Sequence, residues 1–427
     1  MDISIIIDKS TFQSLNFNEI QRLTCYYKHI ITPVLVMEIL GDLKKETEEG
    51  KKPPEERVKD FARKLFPMET IVNSHYKFLI KEELLDNPVS MDGRPNVRMQ
   101  KAIRLESGIK GYLVKETQEE KAIYKWRDGN FSEADRELSA LWRITTTREN
   151  ILKNLQHALK NNIKARFSNL NELNVFVDST LVEPSNQHLL LLSLFENYDI
   201  DAWTSLQILQ RWNQLGNPLL KKFAPYAFHC MKVDALFHYS LASELISTRP
   251  TNRVDLEYLY YLPFGNIFTS DDKVHKDLAP LLISNYQKFI PGSDLKKDLK
   301  IIVNNFENSG INEKRKLKNG PPIIEGSITY ELWKEFYGYP ERSGWRENIS
   351  EKEKEMIREK FNEFFEAIKN GKDIDLKNDE ADFILRASYL SKDDFCFCGS
   401  NKKIIDCCIP EEKLDEIIKN QENLGIK

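Results

Sequence analysis

Four acids at the margins of apolar segments are the residues of this sequence best placed to do chemistry. Asp8 closes the run ISIIID, and Glu38 sits in TPVLVMEILGDL among Val34, Val36, Met37, Ile39 and Leu40. Asp255 heads the apolar segment VDLEYLYYLPF, and a neighbouring pair, Asp271-Asp272, follows NIFTS. A carboxylate in apolar company is costly unless it is paired or binds a metal. Hydrolysis of nucleic acid at neutral pH needs an activated water and a neutralised phosphate. One or two Mg²⁺ or Mn²⁺ ions held by Asp and Glu oxygens supply both. Taken singly, each acid reads as a helix cap or a surface charge; four at element ends, in this order, read as a set. Asp234, which opens DALFHYSLA, competes with Asp255 for the third place, and Asp271 competes with Asp272 for the fourth.

The second constellation is a group of thiols near the C-terminus, FCFCGSNKKIIDCC, containing Cys396, Cys398, Cys407 and Cys408. Four thiolates in one short loop suit tetrahedral Zn²⁺, and an ion so ligated is structural because no position is left open for water. Crowding of this kind fits a metal site in a reducing compartment better than a disulfide framework. Cys25 and Cys230, in helical and aromatic surroundings, read as core.

Elements must position these groups. Residues 3–8 read as a strand buried on both faces, with Asp8 at its carboxyl end. Residues 18–28 read as a helix. Ile30-Ile31 are strand-like, and then Thr32 caps a helix with Pro33 at its first position. The stretch KKETEEGKKPPEER is a charged linker. Residues 61–249 carry mainly helical periods, broken by turns such as Gly216-Asn217-Pro218. Asp255 opens a short helix that turns at Pro263 and Gly265 into a strand over 266–270, and a helix is expected from His275 to Tyr286. Beyond it lie the basic 314–318 cluster, a Gly320-Pro321-Pro322 linker and a charged helix over 349–369 with an apolar stripe. A parallel sheet would set the carboxyl ends of the acid-bearing strands along one crevice.

Composition bounds the rest. With 427 residues, 41% hydrophobic and 30% charged, the chain is globular and large enough for two or three domains. The net charge of −4 does not mark a nucleic-acid binder, but residues 98–166 hold 15 Lys/Arg against 9 Asp/Glu. Tyr112, Tyr124, Trp126, Phe131 and Trp142 interleave with those bases. That mixture suits single-stranded RNA, and equally an amphipathic bundle with its aromatics inside. The first ten residues hold no secretory h-region, and the longest apolar run is too short to span a bilayer, so a cytoplasmic protein with no membrane partner is expected.

The segments IIIDKS, TPVLVMEILGDL, VDLEYLYYLPF and NIFTSDDKVH resemble, in order, the acid-bearing segments of PIN-like ribonucleases. The resemblance implies that Asp8, Glu38, Asp255 and Asp272 bind the catalytic Mg²⁺ or Mn²⁺. It places Ser10 where the family often has a hydroxyl or amide near the phosphate, although Ser10 could equally cap the following helix. His275 is a candidate substrate contact or a structural residue. The tail resembles the SEC-C motif, a small zinc module that docks protein partners or the ribosome.

These readings imply an α/β PIN-like core, a parallel sheet with flanking helices, interrupted by a large all-α insertion and followed by a small zinc module. The expected divisions are 1–44 and 251–290 for the core, 58–250 for the helical insertion, 291–390 for a linker and helical region, and 391–427 for the SEC-C-like module. The expected activity is metal-dependent endoribonuclease action on RNA, with the zinc tail for targeting; a toxin or defence role follows by analogy alone. The alternative is a non-catalytic RNA- or ribosome-binding adaptor on a degenerate PIN-like fold.

Overall fold

The structure, a computed structural model, describes residues 3–46, 52–65, 71–97, 99–104, 110–114, 117–148, 150–310, 322–337 and 383–386, with isolated positions 405 and 412. Its strands are β1 (Ile3–Ile7), β2 (Tyr27–Ile31), β3 (Ile71–Val72), β4 (Met99–Arg104), β5 (Lys110–Val114), β6 (Ile267–Ser270), β7 (Lys288–Pro291) and β8 (Phe383–Arg386). Five of them form a sheet in the order β3-β2-β1-β6-β7, and every pairing in it is parallel.

The central strand explains itself. All five residues of β1 are buried, as are all four of β6, because helices cover both faces of a parallel sheet and leave no side for alternation. The preceding helix (Phe17–Tyr26) ends at Tyr26 rather than at Lys28, and β2 begins at Tyr27, earlier than Ile30. The register of β1 against β6 is pinned across 262 positions. Ser4 N–H donates to Asn266 Oδ1 at 3.1 Å, and Asn266 N–H donates to Ser4 Oγ at 2.8 Å. Ile7 therefore pairs with Thr269, and Asp8 N–H donates to the Thr269 carbonyl at 3.3 Å.

The chain runs outward from β1 to β2 and β3, then returns to the other side of β1 to add β6 and β7. Connections that depart in opposite directions from neighbouring strands leave a crevice beyond their carboxyl ends, where α/β sheets bind ligands. Here that crevice lies between β1 and β6. Asp8 and Asp272 follow those two strands.

Three expectations are corrected. The 58–250 segment is not all-α: Ile71 and Val72 extend the main sheet beside Ile30 and Ile31, and β4 and β5 form an antiparallel pair that β8 joins. A two-residue strand is too short to declare a period. The core does not end at 290 either. β7 is its edge, and the helix Gly292–Asn308 packs on the helix Phe17–Tyr26. Asp298 on that helix then accepts hydrogen bonds from the Ile328 and Thr329 N–H groups, fixing the start of the helix Ile328–Tyr337. Finally, the helix after Asp272 stops at Leu278 and gives way to a 3-10 turn, Ala279–Leu281, with Pro280 at its start.

The insertion is no separate body, since its buried residues and those of the sheet form one continuous apolar cluster. The helix Pro225–Ala242 packs against the helices Ile151–Asn162 and Leu170–Val182. The helix Glu133–Thr147 lies on the helix Pro33–Gly41. There the Trp142 indole approaches so closely that a Cβ on Gly41 would sit 2.7 Å from it. Trp126 is buried and Phe131 and Trp142 pack against the core, so these aromatics belong to the interior rather than to a stacking platform. Cys230 is buried and Cys25 half-buried. Among the described residues no helix is long and apolar enough to cross a membrane.

Candidate metal centre

Four elements converge on the crevice. Asp8 is the N-cap of the helix Lys9–Ser14: its Oδ1 accepts from Thr11 N–H at 3.1 Å, and its Oδ2 accepts from the Ser10 hydroxyl at 2.6 Å. Asp8, and not Ser10, therefore caps this helix. Ser10 is exposed, and its one hydroxyl hydrogen is donated to Asp8. Asp272 occupies the N-cap position of the helix Lys273–Leu278 but makes no capping bond with its side chain, which turns to Asp8 instead.

Glu38 projects from the helix Pro33–Gly41, where the Tyr258 hydroxyl donates to its Oε2 at 2.5 Å. Asp255 lies in the first turn of the helix Asn252–Leu259 and is buried. Tyr258 is one turn further along that helix, so a single helix brings an acid and the donor that holds another acid.

The electrostatics of the group are strained. Burial pushes the Asp255 carboxyl up to about 8, with the charges of Asp272 and Glu38 adding to it. Burial likewise raises Glu38 to about 7, against the opposing pull of Lys9 and the Tyr258 bond. Asp272 is pushed up to about 6 by burial and by its contact with Asp8. Like charges crowded out of water favour protonation. The nearest cations do not resolve the crowding. Lys9 is held by Asp42 at 2.8 Å and by the Glu38 carbonyl at 2.7 Å, and Arg249 is exposed. The donors are carboxylate oxygens, hard ligands of the kind that Mg²⁺ and Mn²⁺ take. A divalent cation bound among them would offset the repulsion that the protein's own residues leave in place.

The rival acids separate. Asp271 faces solvent, pairing with Lys276 at 3.0 Å and accepting from the Ser293 hydroxyl at 3.2 Å. Asp234 lies in another hydrogen-bond group, where the hydroxyls of Tyr198 and Tyr260 each donate to it at 2.5 Å. His275 is wholly buried, and its two ring nitrogens lie 2.7 Å from Ser270 Oγ and 2.6 Å from the Asp255 carbonyl. Potential ligand atoms of Asp8, Asp272 and His275 lie within 4.8 Å of one another. Cys396, Cys398, Cys407 and Cys408 lie outside the described residues.

Sequence reasoning missed Tyr258, Lys9 and Arg249. Tyr258 carries a signal in its i+3 spacing from Asp255. Arg249 carries none: it follows the helix Pro225–Ala242 in an irregular stretch, yet lines the same cleft as Asn252, Asp255, Asp272 and Lys273. No protein-family model, curated protein or solved structure matches this chain.

Proposed function

We propose that this chain is a divalent-metal-dependent endoribonuclease of PIN type, with Asp8, Glu38, Asp255 and Asp272 as its metal-binding acids. One observation carries the reading: Asp8 and Asp272, 264 positions apart, come together at the sheet's switch point, and the buried carboxyls of Asp255 and Glu38 add their charge to the same group. A bound Mg²⁺ or Mn²⁺ would lower the pKa of a water and offset charge on the phosphate. The chain's own residues would do the rest. Asp8 and Asp272 would hold the metal, Tyr258 fixes the Glu38 carboxyl, and the exposed Ser10 hydroxyl sits at the rim. Arg249 and Lys273, which line the cleft beside these acids, would contact phosphate oxygens of the substrate as point charges. The choice of RNA over DNA rests on the resemblance of the four acid-bearing segments to PIN-like ribonucleases.

The test is cleavage of labelled RNA and of the matching DNA in Mn²⁺, with and without chelator, by wild type and by Asp8→Asn and Asp272→Asn. Metal-dependent cutting of RNA lost in both variants supports the proposal. RNA binding without cutting by wild type would leave the adaptor reading instead, and preferential cutting of DNA would overturn the substrate assignment. For the tail, Cys396, Cys398, Cys407 and Cys408 are proposed to hold one structural Zn²⁺. Elemental analysis should find that zinc in the wild type and lose it in a Cys396→Ser/Cys407→Ser double variant.

A further inference from the structure

His275 is fully buried; it touches two of the acid-bearing parts of the site directly and a third through Tyr258. Its Nε2 lies 2.6 Å from the Asp255 carbonyl oxygen and its Nδ1 lies 2.7 Å from Ser270 Oγ. The same Ser270 oxygen is 3.0 Å from the backbone N–H of Asp272. Its ring meets Tyr258 edge-on at 5.6 Å between centroids and Phe268 at 4.9 Å, and Tyr258 is the donor that holds Glu38.

The partners dictate the proton positions. A carbonyl oxygen has no hydrogen to give, so Nε2 must carry the proton and donate. With the proton on Nε2, the neutral ring keeps its lone pair on Nδ1, which faces Ser270 Oγ at 2.7 Å. Ser270 must then donate its hydroxyl hydrogen to Nδ1, leaving its oxygen to accept from Asp272 N–H. The result is a directional chain: Asp272 N–H to Ser270, Ser270 O–H to His275, and His275 Nε2–H to the Asp255 carbonyl. Every donor is used once, and neither ring nitrogen retains a free lone pair for a cation.

We propose that His275 is a positioning residue of the metal centre and not one of its ligands. Through Ser270 and the Asp255 carbonyl it sets the distance between the third and fourth acids, and through Tyr258 it supports the second. The inference rests on the reading of the four acids as a metal site. It explains why a histidine so close to Asp8 and Asp272 has both nitrogens spent within the protein. Groups that orient metal ligands from behind are worth about 10–100-fold in metal affinity.

The experiment uses the full chain and Mn²⁺ alone. His275→Gln keeps a donor near the Nε2 position but places no acceptor at the Nδ1 position, and Ser270→Ala breaks the chain at its middle link without altering the ring. Calorimetric titration should show Mn²⁺ affinity weakened by about 10–100-fold in each variant. The double variant should be little worse than either single one, because the two residues act in one chain. Circular dichroism and thermal melting identify a misfolded His275→Gln protein, in which case Ser270→Ala alone decides. Pulsed electron-spin resonance of Mn²⁺ in the wild type should show no directly bound nitrogen; a bound nitrogen would make His275 a ligand and overturn the proposal. Unchanged Mn²⁺ affinity in the folded variants would overturn this inference while leaving the metal centre standing. Failure of the wild type to bind Mn²⁺ at all would overturn the metal centre, and this inference with it.

Discussion

Two groups of buried acids in this molecule make an instructive pair. In one, Asp234 lies among the helices of the insertion, and burial raises its pKa. In the other, Asp255 lies at the end of the sheet and burial raises it too. The difference is in what surrounds each carboxyl. Two tyrosine hydroxyls donate to Asp234, so its oxygens are satisfied by neutral donors and the arrangement is complete. Asp255 is further raised by Asp272 and Glu38, so its neighbours add to the problem that burial creates. Glu83 belongs with Asp234: burial lifts it to about 7, but its oxygens accept from Tyr226 and Ala227 N–H at the start of the helix Pro225–Ala242. Burial and a shifted pKa do not by themselves mark a functional acid. Satisfaction by the protein's own donors is the distinguishing property.

The largest expected effect follows directly. Asp8→Asn and Asp272→Asn should each lower metal-dependent RNA cleavage by at least about 10²-fold, the scale of losing one electrostatic partner of a transition state. Neither should lower the melting temperature of the metal-free protein, since each removes a charge from a crowded group. Asp234→Ala should do the reverse. It strands two buried hydroxyls at about 1–3 kcal/mol each, so chemical denaturation should show a clear loss of stability. Cleavage per folded molecule should be unchanged. If Asp234→Ala abolished cleavage in a folded protein, the division between the two groups would collapse.

A smaller effect concerns pH. In the folded protein Asp272, Glu38 and Asp255 hold their protons up to about 6, 7 and 8 respectively, above the ordinary carboxylate value of about 4. Folded protein then binds more protons than unfolded chain, so stability of the metal-free protein should fall as pH rises from roughly 5 to 8. Asp234 and Glu83 act in the same direction, so the slope alone does not isolate the site. Added Mn²⁺ does: the rise in melting temperature should be larger at pH 8 than at pH 6, because the cation competes with those protons. An equal rise at both pH values would count against carboxylate ligation.

The smallest effect separates neighbours. Asp271→Asn loses one exposed ion pair with Lys276, worth about 0–1 kcal/mol. It should leave Mn²⁺ affinity and cleavage near wild type, in contrast to the adjacent Asp272→Asn.

Much of the candidate site is legible in the sequence because acids at the ends of apolar runs stand out. Asp8 after a five-residue buried strand and Glu38 on an apolar helix are conspicuous in sequence, and so is Asp255 at a helix start. Choosing between Asp271 and Asp272 was harder, because adjacent residues at a strand end differ only in the direction each side chain leaves the backbone. The N–H of Asp272 is bonded to Ser270 Oγ and its carboxyl turns toward Asp8, and no local pattern encodes that. The role of His275 was equally hidden, since its partners come from a strand end and from a helix whose start lies over twenty positions upstream. The two-residue β3 escaped for a simpler reason: Ile71-Val72 gives no period to read.

The contact between the Trp142 indole and Gly41 has a practical consequence. Gly41 is three residues beyond Glu38 on the same helix, so the helical segment rests against the very rod that carries one of the acids. Excising 58–250 to isolate the acid-bearing core would also strip the sheet of its outermost strand. A shortened version of this protein should therefore be insoluble or lack the candidate site, and the segment between the acids is better regarded as one wall of that site than as cargo.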